Sequence, residues 1–313
     1  ISDPHHHLWD YPTSRYMIEE LNADAGSGHR IESTVFVECN SFYRADGPRD
    51  LAPVGETEVV NGVAAMSASG RFGDMRACAG IVGFADLSLG ADVAPVLEAH
   101  IRAGGDRFRG VRHAGAWDAS EAVRNAHTNP PHGLYGSAAF REGYARLADH
   151  GLSFEAWQFH PQLPEVTDLA RAFPEMALVL DHVGGPLGIG PYEGRRAEVF
   201  AVWKADLAEL AKSPNVVVKL GGLGMAICGF GFHKRETPAS SEDLAQAWRP
   251  YIETCIELFG PERCMFESNF PVDQVSCDYR TLWNALKRLA AGASADEKAL
   301  LFRDVARRTY RLV

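Results

Sequence analysis

The stretch Ala177-Leu178-Val179-Leu180-Asp181-His182-Val183-Gly184-Gly185-Pro186 sets a wholly apolar strand directly before charge and a glycine-proline turn. Asn215-Val216-Val217-Val218-Lys219-Leu220, followed by Gly221-Gly222-Leu223-Gly224, repeats the pattern. Near-continuous valines suit a strand buried on both faces, as in parallel sheets covered by helices. Working outward, further strands are expected at residues 1–7, 31–39, 77–84, 108–113, 152–157 and 264–267. Helical spacing of apolar residues fills 55–69, 93–103, 137–150, 164–173, 193–212, 244–259, 282–289 and 295–308. Residues 11–30 read as polar and turn-rich. Residues 114–136 and 221–241 read as long loops, which inside a compact fold are often functional. Eight strands separated mostly by helices, with no break in composition, predict an α/β fold: one (β/α)8 TIM barrel over residues 1–313. A doubly wound sheet is the weaker reading, because no G-x-G-x-x-G turn follows the first strand.

Composition narrows the function. The chain has 313 residues, 46% hydrophobic and 23% charged, which allows a large core and argues against disorder. Its formal net charge of −10 is spread along the chain without a long basic run, which excludes nucleic acid and anionic membrane as natural partners. Six cysteines, Cys39, Cys78, Cys228, Cys255, Cys264 and Cys277, form no C-x-x-C pair and read as reduced thiols. No apolar run is long enough to span a membrane and no signal peptide is visible, so a soluble cytoplasmic protein is expected. The sequence is equally compatible with a monomer and a homo-oligomer.

The first residues carry the densest chemistry: Asp3-Pro4-His5-His6-His7-Leu8-Trp9. A tag remnant would be longer and lie in a polar tail, whereas this run leads straight into Leu8-Trp9. If residues 1–7 are extended, Asp3, His5 and His7 share one face, and a His-x-His pair can hold a divalent metal. Barrel enzymes place their chemistry at the C-terminal ends of the strands. Those ends supply His5, His7, Glu38, Asn40, Arg112, His113, Glu155, Trp157, His160, Asp181, His182, Lys219, Glu267, Asn269 and Asp273. Such a convergence of titratable groups points to an active site.

With the strand-one His-x-His, Asp181-His182-x-Gly-x-Pro, Lys219-Leu-Gly-Gly and Met265-Phe-Glu-Ser-Asn-Phe-Pro-Val, the chain resembles the amidohydrolase superfamily, and more narrowly its amidohydrolase-2 branch, which includes lactonases. The resemblance runs from Asp3 to Leu312. It implies a distorted barrel and a hydrolase that opens a cyclic ester with activated water, with or without a divalent metal, zinc first. One departure stands out: the family's strand-eight aspartate is replaced by Asn269, which neither takes a proton from water nor binds metal well.

The roles follow from what lactone opening requires: an activated water, a polarised carbonyl and a group for the substrate's substituents. His182, Glu267, Asn269 and Asp273 are the catalytic candidates. His5, His7, His160, His182, Glu38 and Glu155 are the candidate metal ligands, against barrel-end packing and internal ion pairs. Arg112, His113, Trp157 and His233 are the candidates for binding a small-molecule substrate. Arg44, Arg124 and Arg235 stand on the loops, where they would select substrate or simply be solvated. Asp181, counted by alternation from His182, is expected to face away and be structural. A metal-dependent non-oxidative decarboxylase of the same superfamily and a non-catalytic barrel that only binds are the competing readings.

Overall fold

The computed structural model describes residues 1–312. Its strands are β1 (Ser2–His6), β2 (Trp9–Tyr11), β3 (Ser14–Tyr16), β4 (Ser33–Val37), β5 (Arg76–Gly83), β6 (Phe108–Arg112), β7 (Ser153–Ala156), β8 (Leu178–Leu180), β9 (Val216–Leu220) and β10 (Cys264–Phe266). The helices are α1 (Ile18–Ala25), α2 (Val54–Ala68), α3 (Ala94–Gly104), α4 (Ala138–Arg146), α5 (Leu163–Ala172), α6 (Arg196–Leu210), α7 (Ser241–Phe259), α8 (Tyr279–Leu289), α9 (Ala295–Ala299) and α10 (Val305–Tyr310). Eight strands form one parallel sheet in the order β1-β4-β5-β6-β7-β8-β9-β10. The ends meet just past β10: His7 N–H donates to Phe270 O at 2.8 Å and Asn269 N–H to His5 O at 2.9 Å. The sheet therefore curls into a nearly closed TIM barrel, as the strand pattern implied.

Two layers of apolar packing hold it. Outside, Phe36, Phe154, Leu178 and Phe266 meet the helices in the main core. Inside, Val35, Val37, Val82, Val179 and Met265 pack on Val305, Ala306 and Tyr310 of the C-terminal helix. Inward-facing residues alternate with outward ones along each strand, so the next inward positions past this apolar plug are Glu155, Lys219, Asp181 and Glu267. These are buried charges above a greasy floor.

The structure departs from expectation near the N-terminus and at the end. Residues 11–30 are not all irregular: β2 and β3 form an antiparallel hairpin, and α1 follows. The strands are three residues each and largely polar, too short for a periodicity to register. The single helix expected over 295–308 is interrupted by a widened turn at Leu300–Asp304. Asp3 does not join His5 and His7, because the β1–β4 pairing slips between Asp3 and His6. Its carboxyl instead accepts from Ser268 N–H at 3.0 Å and Tyr279 O–H at 2.9 Å, tying β1 to the segment after β10.

Candidate active site

A cavity of about 420 Å³ opens at the C-terminal end of the barrel. His7, Arg112, Trp157, His182 and Asn269 form its deeper wall, and Trp9, Tyr11, Asn40, Arg124, His127 and Met225 its mouth.

The wall is made by five strand ends, those of β1, β6, β7, β8 and β10. β1 sends in His5 and His7. His7 Nδ1 is 2.8 Å from Val37 O, a group that can only accept, so Nδ1 carries the proton and Nε2 a lone pair. Burial, helped by Arg112, lowers the His7 pKa to about 3, so the ring stays neutral. The lone pair faces His5 Nε2 and Asn269 Oδ1, each at 3.3 Å. Arg112 in turn donates to His5 Nε2 at 3.3 Å and Lys219 Nζ to His5 Nδ1 at 3.2 Å, while Glu267 Oε2 lies 2.8 Å from Nδ1 without a directed hydrogen bond. Burial, reinforced by Lys219, holds His5 well below its ordinary pKa.

After β8 the chain does something alternation does not foresee. Asp181 keeps the parity of Val179 and points inward, where Arg112 donates to it at 3.3 Å and Lys219 Nζ lies 3.3 Å away. The expectation that Asp181 faces away is therefore corrected. His182 would then point outward, but His182 and Val183 take positive φ of 53° and 49°, and this turn swings the imidazole into the cavity. Gly222 leaves the room for it: a Cβ there would lie 2.5 Å from the His182 ring. Glu267 accepts from His182 Nδ1 at 2.7 Å and from its backbone N–H at 3.2 Å. Burial opposes a charged ring, yet Glu267 and Asp181 outweigh it and raise the His182 pKa.

Past β10, Asn269 also has positive φ, 55°. Its Nδ2 donates to Asp273 Oδ1 at 2.8 Å, which turns Oδ1 toward His7. Gly224 N–H donates to the other Asp273 oxygen at 2.8 Å. Asp273 itself is buried behind Asn269 and does not line the cavity. Burial pushes its carboxyl up to about 7 despite these donors and His182.

Of the other expected ligands, Glu38 is taken by Arg112 at 2.7 Å and His127 at 2.9 Å. Burial works against its charge, but His127 and the Arg112 guanidinium outweigh burial and hold its pKa down at about 2. Glu155 accepts from Lys219 at 2.7 Å and Tyr310 at 2.5 Å, below the cavity. The structure does not bring His160 to the cluster: it packs on Tyr192 and accepts from Leu187 N–H at 3.3 Å. His113 follows Arg112 with opposite parity and packs between Phe84 and Phe140. His233 borders a separate cavity with Tyr192 and Arg196. Arg44 and Arg235 pair with Glu58 and Asp243 outside the cavity. Sequence reasoning gave no role to Trp9, Tyr11 and His127. Trp9 stacks between His7 and Tyr11, and the run His-x-Trp-x-Tyr already carries that ladder at strand spacing.

The atoms themselves test for a metal. His5, Asp181 and His182 offer ligand atoms all within 4.8 Å of one another. Asp181 Oδ1 and Glu267 Oε2 are buried without a directed hydrogen bond, although Lys219 Nζ and His5 Nδ1 lie 3.3 and 2.8 Å from them. Arg112 and Lys219 are matched by Glu38 and Glu155, which leaves Asp181 and Glu267 in excess. Donor type and charge therefore fit a divalent cation.

A family model described as "Amidohydrolase" matches residues 2–312. The uncharacterized protein y4mH of Sinorhizobium fredii is 31% identical over 335 aligned residues, covering 100% of this chain and 98% of the relative. L-fucono-1,5-lactonase of Burkholderia multivorans is 28% identical, over 76% of this chain and 73% of its own length. Among solved structures, an amidohydrolase from Burkholderia multivorans with bound Zn superposes with a TM-score of 0.75 at 25% identity, covering 100% of this chain and 99% of that one.

Proposed function

This chain belongs to the amidohydrolase family, and from that premise we propose that it is a lactonase, opening a small cyclic ester to a hydroxy acid at the mouth of the barrel. The observation that carries this reading is the His182–Glu267 pair: an imidazole oriented by a buried carboxyl, with its second nitrogen toward a cavity that also holds the lone pair of His7. The one named activity among the relatives above is a lactone hydrolysis, which favours ring opening over decarboxylation and over a barrel that only binds.

The chemistry asked of the chain is general acid–base catalysis. In the cation-free site His182 takes a proton from water as the water oxygen attacks the ring carbonyl. The ring C–O bond then breaks, and the departing oxygen takes the proton back from His182. His7 Nε2 and Asn269 Oδ1 are acceptors only and lie 3.3 Å apart, so between them they hold the water's second hydrogen while the first goes to His182. Trp157, edge-on to His182 at 4.8 Å between ring centroids, and the Trp9–Tyr11 ladder supply apolar walls for a ring. Arg124 and Asn40 at the mouth reach the substituents of a small-molecule substrate. A divalent cation, zinc by analogy with the Burkholderia multivorans structure, would be held by His5, Asp181 and His182 and would supply Lewis acidity at the ring carbonyl.

No helix among the described residues is long and apolar enough to cross a membrane. The six cysteines are free, which supports a reducing, cytoplasmic setting.

The test is isotopic. Lactone turned over in ¹⁸O-water places the label in the new carboxylate if water attacks the carbonyl. Label in the released hydroxyl, or ring-opened product that His182→Ala forms equally fast, contradicts the mechanism.

A further inference from the structure

At the opposite end of the barrel, by the N-terminal ends of β5 and β6, lies a concavity of about 530 Å³. Arg76, Arg107, Arg109 and Arg311 converge on it, over a floor of alanines and glycines, with Asp106 as the one carboxyl on its rim. In a chain of net charge −10 such a gathering of guanidinium groups is unexpected, and none of the four is ion-paired among the described residues.

Neutral acceptors hold them instead. Arg76 donates to Asp74 O at 3.0 Å, Arg107 to Asn61 Oδ1 at 2.8 Å, Arg109 to Arg311 O at 3.4 Å and Arg311 to Gly151 O at 3.1 Å. The groups are fixed by neutral acceptors, and the single carboxyl of Asp106 faces four guanidinium groups. Arg109 adds a sharper sign: its Nε is buried and has no hydrogen-bond partner. A buried donor left unmade is costly unless an acceptor arrives from outside. Burial and the neighbouring Arg311 also pull the Arg109 pKa down, against the smaller opposing effect of the Asp106 carboxylate.

We propose that this concavity is a second ligand site, for a small anion bearing a phosphoryl group. Several guanidinium forks exceed what one carboxylate can accept and match the oxygens of a phosphate. The volume falls within the range of small-molecule pockets. Small residues on the floor, Ala77 and Gly104 among them, leave that space open to the ligand.

Calorimetric titration of the full chain with inorganic pyrophosphate at low salt tests this, with four proteins side by side. Wild type and Arg124→Gln, which changes only the barrel mouth, should bind alike. Arg109→Gln, and the rim double variant Arg76→Gln/Arg311→Gln, should bind at least about tenfold more weakly, the scale of one charge-assisted hydrogen bond. The rim residues are exposed, so that variant decides the matter if Arg109→Gln fails to fold. No heat from wild type, equal affinity in all four, or loss confined to Arg124→Gln overturns the proposal.

Discussion

Two strand ends at the mouth, separated by β9 alone, are built by the same device and differ in the side chain they present. After β8 and after β10 a non-glycine residue adopts a left-handed backbone, His182 at φ 53° and Asn269 at 55°. Such conformations cost roughly 1–3 kcal/mol and persist where the surroundings enforce them. At the first end the turned-in side chain is titratable and leans on Glu267 at 2.7 Å. At the second it is a neutral amide whose orientation is set by Asp273 at 2.8 Å. In the proposed mechanism this difference assigns two jobs to two ends: moving a proton at His182 and holding the water that loses it at Asn269.

That separation can be broken in order of severity. His182→Ala removes the proton carrier and should lower kcat about 10³-fold, within the range of general acid–base catalysis, with little change in KM. Glu267→Gln keeps the imidazole but loses its orienting charge. Steady-state rates should fall about 10²-fold, the scale of losses when an outer carboxylate is removed.

Asp273→Asn acts on the other end. Both Asp273 oxygens accept N–H bonds, so the geometry serves the ionised form, and the pKa of about 7 means protonation begins near neutrality. Wild-type kcat should therefore decline as pH falls through about 7. The variant should lose about tenfold at pH 8 and make that limb shallower, leaving the part set by protonation of the His182 base, whose pKa is also raised. An unchanged profile would leave Asp273 a purely structural residue. The smallest effect is expected from Trp9→Ala at the rim: a few-fold rise in KM with kcat kept, because a stacking wall contributes about 0.5–1.5 kcal/mol to binding.

Much of this was legible. The barrel could be read because strands such as β8 and β9 are largely apolar and carry charge at or just past their ends, as at Lys219 and at Leu180-Asp181. His5, His7, His182 and Glu267 could be named from those ends. What sequence could not supply was the backbone twist past each strand. Parity counted back from His182 put Asp181 outside, whereas the chain keeps Asp181 inside and bends to bring His182 in as well. His160 and His113 looked equivalent to His182 by position, but without such a bend they face Tyr192 and Phe140. The arginines at the other end of the barrel come from three separate parts of the chain, and no local pattern links them.

The central claim is that this mouth opens lactones through His182. Its most direct test is the initial rate of ring opening on a panel of five- and six-membered lactones, wild type against His182→Ala, each prepared without a tag and assayed with chelator and with zinc. The account predicts that wild type opens at least one lactone, and that His182→Ala does so about 10³-fold more slowly in chelator. A wild type inert to the whole panel under both conditions, or a variant as fast as wild type, would contradict it.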